Sequence, residues 1–218
     1  MSFDQPLPPF NASDPNASFL STSCLDFLMI ELVPMTYRVA NELDAAASAS
    51  SPADAGDEGG KSNGVDTASN AAGAGSHRLD EDEERDAVFF RLDGLGYRVG
   101  LGLVERFSRD RPRFNDTLDA IKFVCKDLWM LVFKKQVDNL KTNHRGVYVL
   151  TDNAFRPLSR MSADAGGQAV VRAQPFLWFP CGVVRGALAA MGIAATVQAE
   201  SSELPGAVFQ IKTIPAKQ

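Results

Sequence analysis

The stretch NDTLDAIKFVCKDLWMLVFKKQVDNLKTNHRGVYVLTDN, residues 115–153, decides the fold class because its hydrophobic period changes midway. Two short apolar runs, 137–142 and 147–151, flank a turn that ends in glycine, and they predict a β-hairpin. The first half of the stretch predicts a helix capped by Asn115 or Asp116. Its apolar residues recur at spacings of three and four, at Leu118, Ile121, Cys125, Leu128 and Val132.

Hydrophobic periods also extend over five stretches outside this segment. They predict helices at 21–41, 82–107 and 175–191 and strands at 195–199 and 208–214. We expect Pro34 to kink or split the first helix. Strands that follow one another in adjacent pairs favour an antiparallel sheet. The order therefore predicts an α+β fold of two layers, with helices packed on one face of a four-stranded antiparallel sheet.

The composition is that of a globular protein, with 45% hydrophobic and 22% charged residues. Residues 1–86 hold 16 acidic against 4 basic side chains, whereas 87–218 hold 11 against 18, so we expect the folded part to be basic. We expect residues 1–20, with four prolines, to form a flexible tail. A low-complexity, acidic segment at 45–86 predicts a disordered insertion in a single domain that spans 21–215.

The cellular compartment is inferred from features that the sequence lacks. No apolar run reaches the ~18–20 residues of a membrane span, and no signal peptide is visible at the N-terminus. Cys24, Cys125 and Cys181 are odd in number and lie in apolar neighbourhoods. We expect them to be reduced thiols in the core of a cytosolic protein.

The sequence predicts no catalytic residue, no cofactor and no metal site. His77 and His144 have no partner at metal-ligand spacing, and no nucleophile elbow, dinucleotide motif or phosphate loop is present. Asp138 and Asp152 are candidate carboxylates that nothing in the sequence pairs, and Asp152 is interpreted as a turn residue. Nucleic acid is an unfavoured partner because no recognition module is recognisable.

Glycines on two of the predicted helices indicate that other backbones approach them closely. The run Gly182-Val-Val-Arg-Gly186 gives one helix a small face, and the spacing leaves open whether the helix that covers it belongs to the same chain. Helix 82–107 carries Gly94, Gly96, Gly100 and Gly102, each of which costs about 1 kcal/mol relative to Ala. We predict a subunit contact on this helix at Leu92, Leu95, Gly96, Tyr97 and Gly100.

A basic run follows the second helix, at Arg106, Arg109, Arg111 and Arg113. It is interpreted as a solvated surface, or else as a contact for an acidic partner or an anionic membrane surface.

Ordered motifs extend over most of the chain. They are YRVG at 97–100, LDAIKFVCKDLW at 118–129, VFKKQ at 132–136, LKTNH at 140–144, GVYVLTDN at 146–153, CGVVRGAL at 181–188 and MG at 191–192. Together they resemble the Bet-type family of small TRAPP complex subunits. Within that family, the KDLW and TNH runs resemble the 33-kDa type, called subunit six in animals. The resemblance covers 21–44 loosely and 87–214 closely.

The resemblance implies a non-catalytic scaffold that pairs through its helices with the Bet-three-type subunit and contacts other TRAPP subunits. The assembly it implies is a guanine-nucleotide exchange factor for Rab-type GTPases and a vesicle tether in ER-to-Golgi and Golgi traffic, with the exchange site on other subunits. The chain would then be cytoplasmic and peripheral at those membranes. The Bet-three-type acylated cysteine has no counterpart in Arg109–Phe114, so acylation is not implied. The alternative function is a stand-alone acyl-chain or small-molecule binder.

Overall fold

The computed structural model describes residues 21–50, 80–109, 111–143, 145–161 and 168–214. The long helices are α1 (Thr22–Ser50), α2 (Glu81–Phe107) and α6 (Trp178–Ala190). The shorter helices are α3 (Thr117–Phe123), α4 (Trp129–Phe133) and α5 (Gln168–Ala173), and the strands are β1 (Asn139–Thr142), β2 (Val147–Asp152), β3 (Ala195–Glu200) and β4 (Ala207–Thr213).

The four strands form one antiparallel sheet in the order β1-β2-β4-β3. Alternate residues of the central strands are buried, as the two-residue period of a strand requires. Leu150 lies opposite Phe209 in the register of β2 and β4, and both are fully buried. The ring of Trp129, from α4, meets Phe209 edge-on at 5.1 Å. The predicted two-layer α+β fold is therefore confirmed.

The segment that decides the fold class forms one helical path in three parts. Asp116 caps α3 and accepts a hydrogen bond from the Asp119 amide at 2.7 Å. A π-helical turn, Val124–Leu128, then joins α3 to α4. The Val137 amide, which lies just before β1, donates to the carbonyl of Cys125 at 3.0 Å. The helix and hairpin predicted for this segment are both present.

Helix α1 extends past its predicted C-terminal end, and of the two outcomes predicted for Pro34 the split does not occur. It continues on both sides of Pro34, so the proline does not split it. Residues 45–50, placed in the disordered insertion by sequence, form the C-terminal end of α1, and residues 82–86, assigned both to the insertion and to the second predicted helix, belong to α2. The alanines of 45–50 favour helix at the end of α1. At the start of α2, four acidic residues after Asp80 interact favourably with the positive end of the helix dipole. Residues 1–20 and 51–79 lie outside the described residues.

The three thiols do not share one environment, which corrects the expectation that all are core residues. Cys125 and Cys181 are buried, whereas Cys24 lies exposed in the first turn of α1. Burial raises the pKa of the Cys125 thiol to about 12 and raises that of Cys181 as well. None of the described helices is long and apolar enough to cross a membrane.

Candidate partner interface

Helices α2 and α6 pack backbone against backbone through two pairs of glycines. Gly96 and Gly100 of α2 face Gly182 and Gly186 of α6. A Cβ atom added to any of the four would overlap a carbonyl oxygen of the opposite helix. The helix that covers the small face of 182–186 is therefore α2 of the same chain.

Most of the predicted contact set on α2 is consequently turned inward. Leu92 is fully buried, and Gly96 and Gly100 contact α6, so the structure does not offer these three residues to a partner. Leu95 is half-buried against the core. The Tyr97 ring lies under the guanidinium of Arg185, 4.4 Å from its carbon.

The opposite side of α2 has features that contacts with the described residues do not explain. A Cβ added at Gly94 or Gly102 would meet no described atom within 4 Å, so neither glycine is required for packing inside the described part of the chain. Phe90 keeps 70% of its surface exposed. A partner that covered this side would account for both the glycines and the exposed ring.

Helix α1 exposes more large apolar side chains than any other described element. Leu28, Met35 and Val39 follow one another at spacings of seven and four, which places them on one face of the helix. They are 55%, 40% and 39% exposed. We call these three residues the outer face of α1. Further exposed apolar residues of the helix are Phe27, Ile30 and Leu43.

The inner side of α1 is fixed to the rest of the chain. Leu32, Val33 and Ala40 are buried in the core. At one end, Arg156 donates two hydrogen bonds to the Asp26 carboxylate, at 2.7 and 2.8 Å, and these bonds lower the pKa of Asp26. The outer face of α1 is therefore held in place before any partner binds.

Sequence reasoning missed the outer face because it treated the apolar period of α1 as a single buried stripe. The signal for an exposed face was the number of apolar residues in α1. A stripe at three-and-four spacing can bury only some of them against one layer, so the others remain exposed.

All four arginines of the basic run are exposed, and one of them, Arg111, is fixed by contacts with its neighbours. Arg111 forms an ion pair with Asp127, and its guanidinium lies over the Phe123 ring at 5.1 Å. Arg106, Arg109 and Arg113 are exposed.

The two candidate carboxylates, which the sequence left unpaired, are joined by one lysine. Lys135 Nζ lies 2.8 Å from an Asp138 oxygen and 2.6 Å from Asp152 Oδ1. Asp152 is fully buried, and its other oxygen accepts a hydrogen bond from Trp129 Nε1 at 2.8 Å. These partners satisfy the carboxylate, so the cluster anchors the hairpin to α4.

The described residues bring together no three His, Cys, Asp or Glu side chains that could hold a metal ion. His77 and His144, the two histidines that sequence analysis considered as ligands, lie outside the described residues.

Comparison with known proteins identifies the family. The family model described as transport protein particle (TRAPP) component matches residues 25–214. The chain belongs to the TRAPP component family. Over 130 residues it is 52% identical to trafficking protein particle complex subunit 6b of Danio rerio, a match that covers 60% of this chain and 82% of the relative. Subunit 6B of Homo sapiens is 53% identical over 59% of this chain and 80% of its own length.

These relatives place the chain among the subunit-six type of TRAPP small subunits, as its motifs indicated. Among solved structures, subunit 3 of the complex from Naegleria fowleri, covalently bound to palmitic acid, aligns with a TM-score of 0.49 and 15% identity. That alignment covers 60% of this chain and 82% of the other.

Proposed function

We propose that this chain is a non-catalytic core subunit of a TRAPP vesicle-tethering complex and that it pairs with a Bet-three-type subunit. The outer face of α1 is the observation that carries the proposal. A face of Leu28, Met35 and Val39, on a helix that its own buried residues hold rigidly, is typical of a subunit contact. Phe90 and Gly94 of α2 are proposed to extend this contact.

The role in the assembly is proposed to be structural. The resemblance implies that other subunits of the exchange factor for Rab-type GTPases carry the exchange site. The carboxylates Asp138 and Asp152 support a structural role, because they already accept hydrogen bonds from Lys135 and Trp129. The chain would act in ER-to-Golgi and Golgi traffic, on the cytoplasmic side of those membranes.

The proposal is tested by a matched pair of charge substitutions. The chain is co-expressed with the Bet-three-type subunit of the same organism and purified through a tag on that subunit. Val39→Glu places a charge in the outer face of α1, whereas Val171→Glu does so at an exposed valine of α5. We expect Val39→Glu to weaken the complex by roughly thirtyfold or more, the scale of an interface hot spot, and Val171→Glu to leave it unchanged. Equal binding by both variants would remove α1 from the interface.

A contact with an anionic membrane is proposed for the exposed arginines of the basic run, Arg106, Arg109 and Arg113. Each basic group near such a surface contributes ~1 kcal/mol. Reversal of Arg106 and Arg113 to Glu should weaken binding of the assembled complex to vesicles containing phosphatidylserine at low salt. Arg111→Glu is a poor control because it also breaks the ion pair with Asp127.

A further inference from the structure

A cavity of about 250 Å³ opens between α1, the end of α4 and the turn at Arg156–Leu158. Its wall is apolar, and its rim carries two arginines. The wall is formed by Leu25, Met29, Ile30, Val132 and Phe133, and the rim by Arg156 and Arg160.

The rim has more positive charge than its one carboxylate neutralises. Asp26 is occupied by the two hydrogen bonds from Arg156. Arg160 Nη2 lies 3.8 Å from Asp26 Oδ2, beyond hydrogen-bond distance, and the Arg160 side chain is 67% exposed. The rim therefore leaves Arg160 with donors for a second carboxylate, beside a wall suited to an apolar side chain.

The segment that precedes α1 in the sequence carries matching chemistry. Residues 1–20 lie outside the described residues, and the described chain starts at Ser21, one helical turn before Leu25 in the cavity wall. The segment contains the carboxylates of Asp4 and Asp14 and no lysine or arginine. Its large apolar side chains are Met1, Phe3, Leu7, Phe10, Phe19 and Leu20.

We propose that residues 1–20 occupy this cavity, with an apolar side chain against its wall and the Asp14 carboxylate on Arg160. The reach is sufficient, because the seven residue-to-residue steps from Asp14 to Ser21 span up to about 24 Å when extended. Attachment to α1 holds the segment at a high effective concentration, so weak individual contacts suffice. The contact covers Ile30, which would otherwise remain exposed.

The test uses the full chain, without any partner, so its result is independent of the proposed pairing. Cys24→Ser first removes the exposed native thiol. Ser13→Cys, next to Asp14, is combined with Ser159→Cys on the cavity lining, and disulfide formation with oxidised glutathione is followed by mass spectrometry. Arg160→Glu is then added, and finally Asp14→Lys in that background.

We expect the 13–159 disulfide to form in the parent, to slow at least threefold with Arg160→Glu, and to recover when Asp14→Lys restores the opposite charges. A rate that does not respond to Arg160→Glu overturns the proposal, because it would reflect the tether alone. A disulfide that links two chains instead of one assigns the cavity to a second copy and also overturns it. The proposal is also overturned if no 13–159 disulfide forms within the chain.

Discussion

Gly186 of α6 lies directly against the carbonyl oxygen of Tyr97 in α2, with no space for a Cβ atom between the two helices. Tyr97 also connects the helices through its ring, which lies under Arg185, and Arg185 in turn pairs with Asp93 of α2. The contact between α2 and α6 therefore depends on the absence of a side chain at position 186.

Gly186→Ala should destabilise the chain by roughly 1–3 kcal/mol, because the added methyl group must displace a backbone rather than a side chain. Gly102→Ala is the matched control, since its Cβ would meet no described atom within 4 Å. We expect the control to gain up to about 1 kcal/mol from helix propensity. Urea unfolding of both variants measures the difference. Equal stabilities would show that α2 and α6 are further apart than described.

Asp152 should be the most costly carboxylate to remove from the described fold. Asp152→Ala leaves Trp129 Nε1 and Lys135 without their buried acceptor, and an unsatisfied buried group costs about 1–3 kcal/mol. Asp138→Ala should cost less than about 1 kcal/mol, because Asp138 is partly exposed. Urea denaturation distinguishes these results. A larger loss for Asp138 would contradict the structure.

One of the three thiols should react with iodoacetamide in the folded protein. Cys24 is exposed, whereas Cys125 and Cys181 are buried, and burial raises the pKa of Cys125 to about 12. Because the thiolate is the reactive form, raising the pH from 7 to 9 should not make Cys125 reactive. Peptide mapping by mass spectrometry identifies the labelled residues. Rapid labelling of Cys125 below the unfolding transition would be inconsistent with its buried position.

The Asp26–Arg156 pair should contribute to stability at neutral pH and lose that contribution in acid. Hydrogen bonds from Arg156 lower the pKa of Asp26 below 3.8, its value without the pair. A lowered folded-state pKa stabilises the fold above the unfolded-state pKa, and this stability is lost as pH falls through the folded-state pKa. Asp26→Asn should therefore melt at a lower temperature than the parent at pH 7. The two melting temperatures should converge below pH 4, and a constant gap would disprove the linkage.

The helices and strands could be predicted from sequence because their periods are local. The spacing from Leu118 to Val132 identifies α3 and α4, and the turn before Val147 identifies the hairpin. The π-helical turn between α3 and α4 left no comparable signal, since a widened turn keeps the same apolar residues buried.

The sites were harder to predict because they depend on which surfaces meet in space. Glycine spacing at Gly96 and Gly100 correctly indicated a close backbone, but spacing does not show whose backbone it is. Lys135 joins Asp138 to Asp152 across the hairpin, a contact that neither carboxylate's neighbours in sequence reveal. Likewise, the period of α1 located a helix without showing that Met35 and Val39 remain exposed.

Hydrogen–deuterium exchange on the complex with the Bet-three-type subunit tests most directly whether α1 is the pairing surface. Exchange of this chain alone is compared with exchange in the one-to-one complex, peptide by peptide. We predict slower exchange in peptides that cover 27–43 and unchanged exchange at β3, an edge strand of the sheet. Protection at β3 with no change across 27–43 would contradict the account.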